Sequence, residues 1–200
     1  MNLRDRIHIE QVTTLSDDWF VLKKTQFNWQ RADGQWQRQS RETYDRGHGA
    51  VLLAYNLAQG TVLLVKQFRY PAFVTGYTDL LIEAPAGLLD DDAPEVRIRA
   101  EVEEETGYRL GAVRKVFEAF MSPGSVTERL HFFVAEYDSA MQVSDGGGLV
   151  EEGEDIQVLE LPIAQAMAMV ADGRICDAKT IMLLQYVELN VLTPAVLRIQ

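Results

Sequence analysis

The stretch GLLDDDAPEVRIRAEVEEETGY, residues 87 to 108, decides how this chain folds. Pro94 suits a first helical turn and Gly107 the position just past a helix end, so the spacing predicts a helix over 94–106. Glu101, Glu104 and Glu105 stand at i, i+3 and i+4 and share one face of it, while Glu103 points elsewhere. Like charges so spaced repel by roughly a few tenths of a kcal/mol per pair. They also occupy the last turn, where the helix dipole disfavours anions. Such a face is either a solvated cluster or a site for a cation. Carboxylate oxygens suit Mg²⁺ and Mn²⁺, and Mg²⁺ keeps waters and takes substrate phosphates.

Outward from this helix the chain reads as one domain with β-rich beginnings. Residues 7–14 and 19–29 alternate apolar and polar, as half-exposed strands do. The turn at Asp33-Gly34 predicts a hairpin into 36–45. The apolar runs 49–55 and 61–68 read as buried strands. Strands are also expected at 79–84, 113–119, 130–137 and 156–161. Two further helices are expected, over 163–172, ending at Gly173, and over 177–190, stopped by Pro194. Met167, Met169 and Met182 read as core filler. Gly146-Gly147-Gly148 reads as a flexible joint within an acidic loop.

The 200 residues are 47% hydrophobic and 24% charged, the composition of a globular domain. No apolar run reaches the ~18 residues of a membrane span, and MNLRDRIHIE lacks the apolar core of a secretory signal. The single cysteine, Cys176, excludes an intramolecular disulfide, so a cytoplasmic location is expected. The net charge of −11 is concentrated. Residues 90–105 hold eight acids against two arginines, and residues 145–160 hold six acids and no base. A nucleic-acid partner is not expected of such a surface. These acidic segments either aid solubility or converge on cations.

Strand, Pro85-Ala86-Gly87-Leu88-Leu89, acidic loop, helix, then Thr106-Gly107-Tyr108 form an ordered series. It resembles the signature of the Nudix hydrolase family, whose box runs Gly, five residues, Glu, seven residues, Arg-Glu-aliphatic-x-Glu-Glu-x-Gly-aliphatic. The tail AEVEEETGY fits apart from its first position. Three departures are visible. The interval from Gly87 to Glu101 is one residue short. Ala93 stands where the first Glu belongs, with Glu95 close by. Ala100 stands where Arg belongs, preceded by Arg99. The resemblance extends through ETYDRGHGAVLLAYN (42–56), VKQFRYP (65–71), LIEAPAGLLD (81–90), MSPGSVTERLHFFVAEY (121–137) and GEDIQVLELP (153–162). These stretches look like the branch of the family that acts on nucleoside-diphosphate sugars.

The resemblance implies an α/β fold, a Nudix α/β/α sandwich with a mixed sheet, preceded by an N-terminal antiparallel β extension. The extension is expected over 1–46, serving dimerisation and part of the substrate site, with the Nudix domain over 47–200. The implied reaction is Mg²⁺-dependent hydrolysis of a diphosphate, with Mn²⁺ a possible substitute. GDP-mannose, giving GMP and mannose 1-phosphate, is the leading substrate. ADP-ribose, giving AMP and ribose 5-phosphate, is the alternative. A non-hydrolytic nucleotide-sugar sensor on the same fold is a second alternative.

By matching position, the resemblance implies Glu101 and Glu105 as metal ligands, joined by the main-chain carbonyl of Ala86. Ala86 and Gly87 also border the substrate. Glu104 is implied for a further ion or a bridging water. From the loop GGGLVEEGED, Glu154 is the candidate further ligand and Glu152 the candidate base, their roles being exchangeable. The other reading of this loop is an acidic mobile segment without a role. Arg69 is a natural phosphate clamp, because a guanidinium binds two phosphate oxygens at once; otherwise it is a strand-edge arginine in a salt bridge. Arg41, Glu42, Glu128 and Lys179 match substrate-contacting positions. Trp19 either stacks on the base or is a core residue. His8, His48 and His131 lack metal-ligand spacing, and Cys176 has no apparent base partner. No segment follows the EF-hand pattern, and no glycine fingerprint of a P-loop or dinucleotide site is present. A homodimer through the extension is expected.

Overall fold

A computed structural model describes residues 2–89 and 92–192. Asp90 and Asp91 of the acidic loop, and Pro194 as the expected helix stop, lie outside the described residues. The chain divides into two compact units, one of Met1–His48 with Phe120–Arg129, the other of Gly49–Ala119 with Leu130 onward.

The first unit is a three-stranded antiparallel sheet of β1 (Ile7–Asp17), β2 (Val21–Gln30) and β3 (Trp36–Asp45), in that order. The expected hairpin is present, with Gly34 at φ 83° in its turn. β1 carries bulges at Ile9/Gln11 and Thr14/Ser16. All but the first residue of β1 are exposed, Ile9, Val12 and Leu15 among them. The three tryptophans of the chain, Trp19, Trp29 and Trp36, all belong to this unit. The Arg6 guanidinium lies 4.2 Å from the Trp29 ring centre, and the His8 and Trp36 rings pack at 4.5 Å with their planes tilted by 46°. Segment 120–129 joins the unit through a bridge from Tyr44 to Val126 and a hydrogen bond from Tyr44 N to Ser125 O of 2.8 Å.

The second unit is a mixed seven-stranded sheet with helices. Its strands are β4 (Gly49–Asn56), β5 (Thr61–Gln67), β6 (Leu81–Glu83), β7 (Ala86–Leu88), β8 (Arg114–Phe120), β9 (Arg129–Glu136) and β10 (Gln157–Pro162). β4 runs parallel to β9 and antiparallel to β5. Its helices are α1 (Tyr70–Phe73), α2 (Pro94–Thr106), α3 (Ile163–Ala171) and α4 (Ala178–Val187). α4 is shorter than the expected 177–190 and runs into a single π turn over Glu188–Leu192.

One face of β4, through Ala50, Leu52 and Ala54, packs on Ile98 and Val102 of α2 with Leu63, Phe133 and Tyr108. α4 also contacts β4, and its Leu183, Leu184 and Val187 are buried apart from that cluster. Side chains alternate along a strand, so a central strand with every residue from Gly49 to Ala54 buried must be covered on both faces.

A splayed pair of strands makes room for the site. β4 and β5 pair only at Ala54–Asn56 with Thr61–Leu63. Beyond that point β5 pairs with β6, and β4 pairs with β7. The link Ala84-Pro85 lies between these two short strands, and Leu52 N donates to Pro85 O at 3.0 Å. A proline suits this crossing because it has no N–H to leave unpaired. The expected strand at 79–84 is thus present over 81–83. β7 and α1 have no counterpart in the sequence reading.

Candidate active site

α2 spans Pro94–Thr106 and ends at Gly107, whose φ of 81° is a left-handed cap that favours glycine. Its charged residues separate by face. Glu103 is bound by Arg109 through two contacts of 2.7 and 2.9 Å. Arg99 pairs with Glu95 at 2.9 Å. Glu101 and Glu105 turn inward and are 6% and 1% exposed.

Those two carboxylates are held against their chemistry. Burial, with the charges of Glu104 and Glu154 adding to it, pushes Glu101 up to about 7, although Arg97 at 2.5 Å opposes the shift. Burial pushes Glu105 well above the ordinary carboxylate range, and the charges of Glu101, Glu154 and Glu83 raise it further against Arg69. Glu105 Oε2 is buried without a hydrogen-bond partner. An unpartnered buried carboxylate oxygen costs free energy, which a cation, a proton or a hydrogen-bond donor can offset. Glu101 lies against the backbone of β7, where a Cβ on Gly87 would overlap its carboxylate. Two buried carboxylates on one helix face offer hard oxygens suited to a divalent cation that keeps its waters. Among the described residues, no three His, Cys, Asp or Glu side chains already stand in metal-ligand arrangement.

The acidic loop is fastened to the same helix. Gly147 N donates to Glu105 O at 3.0 Å and Gly148 N to Glu104 O at 3.1 Å. The three glycines have φ of 68°, 113° and 77°. They are therefore not a free joint: their positive φ values and close approach let the loop satisfy the last carbonyls of α2. Gly148 touches Glu154, and Glu154 Oε2 accepts from Leu149 N at 2.9 Å. Glu152 is exposed, at the end of a 3₁₀ turn over Val150–Glu152. Glu104 borders a separate open cavity with Ala100, Glu103 and Ser144.

Arg69, just after β5, lines a cavity of about 210 Å³ with Gln67, Phe68, Glu152, Glu154 and Asp155. Its Nε donates to Glu83 Oε2 at 2.8 Å. Glu83 is 3% exposed and also binds Lys179, which in turn lies 3.0 Å from Asp177. Burial pushes Glu83 up, but Lys179 and Arg69 outweigh it and hold its carboxyl below the usual range. Glu83 is a residue of the site that sequence reasoning missed. The strand 79–84 was visible, but Lys179 is 96 residues away and no spacing links the two.

The remaining expected residues belong to the first unit. Trp19 is 84% exposed at the β1–β2 turn, so it is not a core residue. Arg41 and Glu42 are consecutive on β3, opposite Thr25 and Lys24, and therefore project from opposite faces of the sheet. Glu128 lies 3.4 Å from Arg46 and its side chain is 12% exposed.

Fold and carboxylate face together correspond to one class. A Nudix domain model matches residues 45–183. A model described as the GDP-mannose pyrophosphatase NudK N-terminal domain matches residues 6–44. The chain belongs to the Nudix family. It is 57% identical over 181 residues to a protein named GDP-mannose pyrophosphatase from Pectobacterium atrosepticum, covering 90% of this chain and 93% of the relative. It is 54% identical over 183 residues to a protein of the same name from Klebsiella pneumoniae subsp. pneumoniae, covering 91% of each. A crystal structure titled ADP compounds hydrolase has a TM-score of 0.69, covering 92% of each chain at 16% identity, a likeness of fold. No described helix is long and apolar enough to cross a membrane.

Proposed function

We propose that this protein hydrolyses the diphosphate bond of a nucleoside-diphosphate sugar, GDP-mannose to GMP and mannose 1-phosphate, with Mg²⁺ as cofactor and Mn²⁺ as substitute. The observation that carries the reading is the buried, unpartnered Glu105 oxygen beside a second inward carboxylate on the box helix. The names of relatives above 50% identity support the substrate.

In the reaction a water oxygen bonds to one phosphorus, the bond from that phosphorus to the bridging oxygen breaks, and the bridging oxygen leaves with the other phosphate. Glu101, Glu105 and the Ala86 carbonyl would hold the cation, with Glu154 as a further ligand and Glu104 serving a second ion or a water. The cation supplies charge neutralisation at the phosphate oxygens. Glu152 takes the proton of the attacking water, the exposed end of its 3₁₀ turn leaving it open to solvent. Arg69 forks the diphosphate with its terminal nitrogens while Glu83 holds Nε, and Lys179 acts on this clamp through Glu83. Gly87 keeps the floor of the site low. Trp19, Arg41, Glu42 and Glu128 of the N-terminal unit complete recognition of base and sugar. Because Arg41 and Glu42 face opposite ways, they serve different partners. The exposed Ile9, Val12 and Leu15 of β1 support a homodimer through the extension, and the exposed free Cys176 suits a reducing cytoplasm.

Product analysis with GDP-mannose and ADP-ribose side by side, with Mg²⁺ and with chelator, tests the reading. GMP plus mannose 1-phosphate, lost on chelation, is expected. AMP plus ribose 5-phosphate as the dominant metal-dependent product would assign the same machinery to ADP-ribose. No metal-dependent product from either would overturn hydrolysis of both sugars.

A further inference from the structure

The two alanines of the motif stretch, Ala93 and Ala100, have Glu95 and Arg99 as charged neighbours in sequence. In the fold those neighbours satisfy each other: Arg99 and Glu95 pair at 2.9 Å on the solvent side of α2, their side chains 42% and 53% exposed. A different arginine meets one of the inward carboxylates, Glu101. Positions 97, 101, 104 and 105 fall on one helix face. Arg97 Nη2 lies 2.5 Å from Glu101 Oε1, and the Arg97 side chain is only 25% exposed. The same oxygen lies in the space that a Cβ on Gly87 would fill, 1.9 Å from where that Cβ would stand. Glu101 is therefore held by a guanidinium from its own helix and lies in the room that Gly87 leaves beside β7.

We propose that Arg97 is the positioning residue of the metal site, holding Glu101 Oε1 so that the carboxylate stays turned toward the Ala86–Gly87 backbone. The proposal rests on the reading of Glu101 as a metal ligand. The charges of Glu104 and Glu154 press against Glu101, and Arg97 offsets them. Without that grip the carboxylate is free to swing away from its neighbours toward solvent. Groups that orient a ligand from behind typically change metal affinity about 10–100-fold when removed.

The test is direct Mn²⁺ binding to the full chain by electron paramagnetic resonance, for the wild type, Arg97→Gln, Arg97→Lys and Arg99→Gln. Arg97→Gln is expected to bind Mn²⁺ about tenfold more weakly. Arg97→Lys is expected to recover part of the loss, and Arg99→Gln to match the wild type. At saturating metal, the KM of Arg97→Gln for GDP-mannose stays within about twofold while kcat falls. Unchanged Mn²⁺ affinity in folded Arg97→Gln overturns the proposal, as does tighter binding, which would make Arg97 a mere stand-in for the cation. If Arg97→Gln does not fold, weaker binding by Arg97→Lys than by Arg99→Gln supports the proposal and equal binding overturns it. A wild type that binds Mn²⁺ without cleaving GDP-mannose defeats the substrate assignment alone. A wild type that binds no Mn²⁺ defeats the metal site and the role of Arg97 together.

Discussion

Glu105 is a carboxylate kept where a carboxylate is least stable, 1% exposed and with one oxygen unpartnered. Sites that do chemistry often retain such groups at the expense of stability. Glu105→Gln removes the charge at nearly constant volume. The expected result is a loss of turnover of about a thousandfold or more, in the range for a removed charge-stabilising group, together with a higher Tm than wild type in chelator. Saturating Mg²⁺ raises the Tm of the wild type and leaves that of Glu105→Gln nearly unchanged. Thermal melts of the two proteins with and without Mg²⁺ check this, and near-wild-type activity of Glu105→Gln would break the assignment.

Among the elements, the triple glycine and α2 form one unit, because the loop's N–H groups close the helix's open carbonyls. Gly148 has φ of 77° and touches Glu154. Gly148→Ala is expected to cost about 1–2 kcal/mol of stability from the left-handed backbone and to displace Glu154. Urea unfolding together with the Mg²⁺ dependence of activity measures both effects. α2 was legible from end to end, since Pro94 and Gly107 mark its limits and its glutamates keep a helical period. β7 was not, because Ala86-Gly87-Leu88 is too short to alternate and pairs with a strand some 35 residues earlier. The glycine run suggested freedom because composition does not reveal which carbonyls its N–H groups meet. The shared face of Glu101, Glu104 and Glu105 could be read from spacing, whereas Glu83 and Arg97 owe their places to contacts: Glu83 across elements, Arg97 by a choice between two neighbouring arginines.

For the whole molecule, two sets of carboxylates give stability opposite dependences on pH. Glu101 has a folded value of about 7 against an ordinary 4.5, so its favourable contribution is complete below about 4.5 and is lost as pH rises through 7. Glu83 is shifted down, so its contribution is present above 4.5 and is lost as pH falls below that value. In chelator, Tm should therefore rise from pH 8 toward pH 5 and fall again below 4.5. Glu83→Gln should lose the acid limb and cost about 3 kcal/mol at neutral pH, having taken from Arg69 and the buried Lys179 the charge they share, with Asp177 still beside Lys179. Melting curves across pH 3–8 measure both limbs, and a Tm that does not change across that range would contradict both assignments. Such melts can be read one unit at a time. All three tryptophans lie in the N-terminal sheet and none in the unit that carries the carboxylates. Fluorescence excited at the red edge of the indole band is thus a private signal of the extension, blind to unfolding of the hydrolytic unit. Calorimetry or far-ultraviolet dichroism records both, so a mismatch between the two signals would time the loss of one unit against the other in a protein carrying no added label.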